Sequence, residues 1–133
     1  MVKSWQKPII IIGSAFTVVF IGLIVVLSLV PSQQFVFIGV VGNDKAYHVV
    51  AFFFLSFPLS FARPRLVIWV LLGVLAFGGS LELMQHLFGR NAEWGDFVAD
   101  VIGAFFGAAI ARQLGLWFFR TCDCNRSKEN TVK

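Results

Sequence analysis

The sequence predicts an all-α membrane protein, a transmembrane four-helix bundle with its N- and C-termini cytoplasmic. Three observations carry that prediction. Of the 133 residues, 58% are hydrophobic and only 14% are charged. A soluble domain of this length still leaves roughly 30% of its unfolded surface facing water, which such a composition cannot cover with polar groups. Apolar runs long enough to cross a bilayer recur four times, and the basic residues gather on alternate breaks between them.

The first span is 9–30, "IIIIGSAFTVVFIGLIVVLSLV", 22 residues without a charge. At 1.5 Å per residue it reaches about 33 Å, against a hydrocarbon core of about 30 Å. It is too long for a signal-peptide core and lacks a small-x-small cleavage site, so it is expected to stay attached. Pro31 ends it, and "PSQQFVFIGVVGN" follows as an outer loop with an apolar middle, dipping into the interface or covering the bundle mouth. The second span, 44–62, is "DKAYHVVAFFFLSFPLSFA", with polar residues crowded at its start and Pro58 expected to bend its far end. The third covers 66–88 and the fourth 96–119. Residues 1–120 thus form one domain, and 121–133 form a polar cytoplasmic tail expected to be disordered. Cys122 and Cys124 lie in that tail, where a reducing cytoplasm keeps them incidental; a two-ligand Cys-x-Cys metal site is the weaker reading.

Four spans put both termini on one side, and the positive-inside rule selects the side. Lys3, Lys7, Arg63, Arg65, Arg112, Arg120, Arg126, Lys128 and Lys133 fall on one face, leaving Lys45 and Arg90 on the other. The net charge of +4 is therefore topological. No basic stripe exists, so nucleic acid is not an expected partner. Trp5, Trp69 and Trp117 come near the inner interface and Trp94 near the outer one, as belt residues do.

With this topology, Asp44, Glu82, Glu93, Asp96 and Asp100, together with His48 and His86, all approach the outer face. Helical rise puts His48, Asp100 and Glu82, on three different spans, at a common depth of roughly 6 Å. Phase agrees with depth. Asp44 and His48 are i, i+4 neighbours, as are Glu82 and His86, with Gln85 beside them. Asp96, Asp100, Gly103, Gly107 and Ala111 share one stripe of the fourth span. Gly103-x-x-x-Gly107 admits a close neighbouring helix, so the stripe and its acids should face the bundle. An ionised side chain facing lipid would cost a few kcal/mol, whereas an inward one can meet Lys45, Arg90 or a histidine. Each residue also has a purely structural role open to it. Asp44 and Asp96 can cap their helices, Glu82 and Asp100 can pair without chemistry, the histidines can be satisfied core or interfacial groups, and Arg90 can seek headgroup phosphate. Phe52 to Phe54 are assigned to lipid contact and packing.

Two segments resemble the VanZ-like family of small bacterial membrane proteins. "DKAYHVVAFFFL" is similar to its D-K-x-x-H pattern followed by aromatic and apolar residues. "LELMQHLFGRNAEWGDFVADVIGAFFG" is similar to its E-x-x-Q, then Arg, then D-x-x-x-N-x-x-G-x-x-x-G. The resemblance covers about residues 44–107. It carries over to Asp44, Lys45, His48, Glu82, Gln85, Arg90, Asp96, Gly103 and Gly107, with a departure at Asp100, where the family usually has Asn. The family is named for a protein associated with resistance to the antibiotic teicoplanin. The resemblance implies a multi-pass protein of the bacterial cytoplasmic membrane with an outward polar site, and it names no reaction.

The leading functional expectation is a binding protein, more readily than an enzyme. Lys45 and Arg90 would contact phosphate, and Asp44, His48, Glu82, Gln85, His86, Asp96 and Asp100 would complete a site for a membrane lipid or a lipid-linked envelope precursor. No cofactor and no metal are called for by that reading. The alternatives are an intramembrane metal-dependent lipid-headgroup hydrolase and a small transporter or flippase, the latter requiring a homo-oligomer. Against the hydrolase, H-E-x-x-H is absent and no serine or cysteine nucleophile sits beside the histidines. A simple helix-locking role for the cluster is the remaining reading.

Overall fold

A computed structural model of the chain describes residues 4–29, 44–87 and 94–131, and all the regular structure in them is helical. Helix α1 is Gln6–Leu29, α2 is Asp44–Ala62, α3 is Val67–Leu87 and α4 is Trp94–Thr131, with one 3-10 turn at Pro64–Leu66. All four are long and apolar enough to cross a membrane. Large apolar side chains lie exposed along them, among them Ile11, Val18, Val26, Ile68, Leu72, Phe105 and Ile110. That outer surface suits acyl chains and would aggregate in water. The expected outer loop, 31–43, lies outside the described residues.

The helix limits follow local chemistry. α1 begins three residues ahead of the apolar run because Pro8 falls in its first turn, where a missing N–H leaves no helical bond unmade. α2 has the expected limits and carries Pro58 in its last turns. The chain then reverses at Arg63-Pro64: the Arg63 N–H donates to the Leu59 carbonyl at 2.9 Å, and the Leu66 N–H to the Arg63 carbonyl at 2.9 Å. Leu66 belongs to that turn, so α3 starts at Val67. α4 corrects the sequence reading. The tail expected to be disordered continues the helix to Thr131. Beyond Gly115 the chain has neither Gly nor Pro as far as Thr131, and its Arg, Lys, Glu and Asn residues tolerate helix well enough to extend one already nucleated.

The helices do not form a square bundle. α2 and α4 run in the same direction and make the most extensive interface; α1 rests on α2, and α3 packs on α4 and α2. The reason is the stripe on α4. Gly103 meets the Val49 carbonyl, Gly107 the Phe53 carbonyl and Gly115 the Phe61 carbonyl, each pair the same distance apart in sequence, so the parallel register holds for more than three turns. A β-carbon at any of the three would fall inside van der Waals contact of the facing oxygen. Between them, Ala104, Ala108 and Ala111 are fully buried. Ser56, also fully buried, shares its hydroxyl proton between the Phe53 carbonyl at 3.1 Å and the Ala104 carbonyl of α4 at 3.0 Å. Association within lipid relies on such close packing and interhelical hydrogen bonds rather than on the hydrophobic effect. The apolar core beside this seam holds Ile24, Phe52, Leu55, Val70, Val74 and Leu81.

The bundle has two unlike ends. One carries a cavity of about 620 Å³ whose lining includes Gln6, Arg63, Arg65, Arg120 and Asp123, so the start of α1, the α2–α3 reversal and the far part of α4 meet there. Lys45, His48, Glu82, Asp96 and Asp100 occupy the other. Trp94 is 85% exposed at the acidic end, and Trp69 and Trp117 are each 69% exposed toward the basic end, where interfacial anchors belong.

The seam makes opposite predictions for different glycines. Gly103→Ala and Gly107→Ala should each lower the stability of the detergent-purified protein by about 1–3 kcal/mol through overpacking. Gly73 faces open space. Gly73→Ala should be neutral or stabilising by up to about 1 kcal/mol through helix propensity. Thermal unfolding of the three variants beside the wild type checks the signs.

Candidate functional site

The acidic end is assembled from three helices. α2 delivers Lys45 and His48, one turn apart on one face. α4 delivers Asp96 and Asp100, also one turn apart and in line with the seam glycines. α3 delivers Glu82 from the opposite direction, near its C-terminal end. Gly103 sits against the backbone of Val49, and this contact draws together the side chains just beyond it: His48 Nδ1 and Asp100 Oδ1 lie 2.8 Å apart. Asp100 is 1% exposed, and the His48 side chain retains 19%.

Glu82 completes the group. One ring nitrogen of His48 and one carboxylate oxygen each of Glu82 and Asp100 all lie within 4.8 Å of one another. Both Glu82 carboxylate oxygens are buried. The common depth expected from helical rise is therefore matched by a common position. Above this triad, toward the end of the bundle, Lys45 Nζ approaches Asp96 Oδ1 at 3.5 Å. The Lys45 side chain is 57% exposed and that of Asp96 only 10%. The pair thus presents an ammonium group outward over a buried carboxylate. Its Coulomb attraction contributes little at that exposure, and its importance lies in placing a cation at the mouth.

Two residues outside the expected site shape it. Gly78, one turn before Glu82 on α3, lacks the side chain that would crowd Asp100 and Phe52: a β-carbon there would stand 3.1 Å from Asp100 Oδ2 and 3.0 Å from the Phe52 ring. Phe52, one turn beyond His48, is 1% exposed and stacks on Phe77 with ring centroids 6.2 Å apart. It forms an apolar floor that separates the polar groups from the middle of the bundle. The run Phe52 to Phe54, assigned to lipid contact and packing, divides between the two: Phe52 is core, while Phe54 is 49% exposed. The only sequence signal for either is spacing, Gly78 being i−4 to Glu82 and Phe52 i+4 to His48, and it gains meaning only once the facing groups are known.

Of the other residues named from sequence, Gly103, Gly107 and Ala111 are buried on α4. Asp44 opens α2, and Gln85 and His86 lie in the last turn of α3, but their side chains fall outside the described residues, as does Arg90 entirely. Cys122 and Cys124 carry free thiols on α4, far along it from the triad. Chemically, the described groups offer one imidazole, three carboxylates and one ammonium at one end of the bundle. They can accept hydrogen bonds from amines or hydroxyls, attract a phosphate through Lys45, and coordinate a cation.

No family model matches the chain, and no curated protein or solved structure is significantly similar to it.

Proposed function

We propose that the chain is a VanZ-like multi-pass protein of the bacterial cytoplasmic membrane, with its acidic end outward and its polar site engaging the headgroup of a membrane lipid or a lipid-linked envelope precursor. The observation that carries this reading is the convergence of His48, Glu82 and Asp100 from three helices beneath the partly exposed ammonium of Lys45. Helix association does not require it. The α2–α4 seam already locks the bundle with glycines, alanines and one serine, and each charge brought within a bilayer costs a few kcal/mol on the more lenient scales. Groups so expensive and so close to one end are better accounted for by a ligand than by packing.

Headgroup chemistry fits the arrangement. Lys45 supplies a phosphate contact at the mouth, and the carboxylates behind it accept from an ethanolamine amine or from sugar hydroxyls. The Phe52 floor stops the polar part of the ligand from going deeper, and the exposed apolar flanks of α1, α3 and α4 meet its acyl or isoprenoid chain. A connection to glycopeptide-antibiotic susceptibility rests on the resemblance of the two motifs.

Native mass spectrometry and lipid extraction of the protein purified in mild detergent test this. The wild type should retain one lipid class enriched several-fold over the host membrane, and Lys45→Ala and Asp100→Asn should lose that enrichment. Identical bound-lipid profiles in all three would leave the cluster as a helix lock. Orientation is tested separately with a membrane-impermeant thiol reagent on intact cells. Native Cys122 and Cys124 should label only after permeabilisation, whereas Asn91→Cys, between α3 and α4, should label at once in a background with both native cysteines replaced by serine. The reverse pattern inverts the proposed topology.

A further inference from the structure

We infer that His48, Glu82 and Asp100 form a binding site for a single first-row divalent metal ion, zinc or manganese. One ligand atom from each of the three lies within 4.8 Å of the others, and this inference does not rest on the headgroup reading. Three features support it. The donors are one imidazole nitrogen and two carboxylate oxygens, a set that suits Zn²⁺ or Mn²⁺ and lacks the thiolates that would select copper(I). They come from three helices rather than from one flexible segment, so the bundle itself positions them.

Distance is the second feature. A first-row dication sits about 2.0–2.2 Å from nitrogen and oxygen ligands, which places neighbouring ligand atoms roughly 3–3.5 Å apart. His48 Nδ1 and Asp100 Oδ1 stand 2.8 Å apart, a hydrogen-bond contact that an ion would replace, and one ligand atom from each of the three residues lies within 4.8 Å of the others. A shift of the Glu82 carboxylate by about 1.3–1.8 Å brings the longest edge to that spacing. The ligands then occupy one face of the ion, leaving positions toward the mouth for water or a phosphate oxygen.

Charge is the third. Two carboxylates, when ionised, bring two negative charges to one point in a region of low dielectric constant, and a dication held between them is complementary to both. A proton shared between the acids is the competing solution, and it predicts no metal. The immediate surroundings also suit an ion. The Phe52 ring closes the inner side, and the absent side chain of Gly78 lets Asp100 Oδ2 lie against α3.

The test uses the full-length protein in detergent, stripped with chelator and then loaded separately with zinc sulfate and manganese chloride. After desalting, elemental analysis should find close to one equivalent of one of the two metals per chain, accompanied by a rise in unfolding temperature. Asp100→Asn and Glu82→Gln should each weaken binding by more than about 100-fold, beyond the loss typical of outer-shell changes. The Cys122→Ser/Cys124→Ser double variant should bind as the wild type does, which separates this site from the thiol-bearing end of α4. Cobalt(II) loading of the wild type gives a readout that survives poor folding of the variants: visible bands of N/O ligation, with no thiolate charge-transfer band. A folded wild type that takes up neither metal overturns the inference, as does full retention by Asp100→Asn. Repeating the lipid measurement on stripped protein keeps the two ideas apart: metal uptake alone decides this inference, and lipid retained without metal supports a headgroup site independent of the ion.

Discussion

The close approach of α2 and α4 is the constraint on which the rest of the molecule depends. Three glycines on one face of α4 take the carbonyls of Val49, Phe53 and Phe61 against bare backbone. Helices this near have almost no freedom to slide, because a shift of one residue would replace Gly103 with Ala104 and bring a methyl group into a carbonyl. Register is therefore fixed by excluded volume. It carries His48 and Asp100 with it: each lies within one turn of the uppermost contact, and their 2.8 Å separation follows from backbone placement more than from their own attraction. Ser56 adds a directional bond to the same interface, binding α2 to the Ala104 carbonyl of α4.

Lipid surroundings explain the treatment of the remaining polar groups. Thr17, Ser80 and Thr121 each donate to the carbonyl four residues earlier, at 3.0, 2.7 and 3.0 Å, so no hydroxyl faces hydrocarbon unpaired in those turns. The ionisable clusters among the described residues sit at the two ends, and the ends differ in sign. Arginines 63, 65 and 120 line the cavity at one end, and carboxylates dominate the other. The separation has a physical basis in membrane insertion, where basic residues resist translocation and acidic ones do so much less. On the proposed orientation the acidic cluster lies at the translocated end, the arrangement that insertion tolerates most easily, with Lys45 as the cation beside it among the described residues.

Much of this is legible in one dimension because it depends on one-dimensional rules. Rise per residue brings His48, Glu82 and Asp100 to one level, and the spacing from Asp96 through Ala111 marks the buried face of α4. What stays hidden depends on pairing. Periodicity shows that Gly103 and Gly107 need a close neighbour, but not that the neighbour is α2, running parallel. For that reason Ser56, Gly115 and Gly78 carry little signal of their own: each becomes meaningful only when a facing carbonyl or carboxylate is known. Phe52 is obscured by its company, since three consecutive phenylalanines point in three directions around a helix and only one meets the core. The end of α4 obeys a different rule from the one hydropathy reads. Hydropathy marks where lipid stops, whereas the helix stops where backbone hydrogen bonding fails, and nothing between Gly115 and Thr131 interrupts it.

The geometry also limits what can occupy the polar end. Its donors are held by a seam that cannot widen without separating backbones in contact, so the triad is small and nearly preorganised. Preorganisation lowers the entropic cost of binding, but it also excludes large groups. Asp100 is 1% exposed above the Phe52 ring, so a headgroup meets it through a single hydroxyl, amine or ligand atom and not through a whole ring. Whatever reaches that depth is of the size of an ion, a proton or a single ligand atom, while anything larger must remain at the height of Lys45 and Asp96. On the proposed reading the site therefore divides by size into an inner position for a small charge and an outer one for a headgroup. The charge placed in the inner position then sets what the outer one attracts: a dication there removes the repulsion that two bare carboxylates would exert on an approaching phosphate.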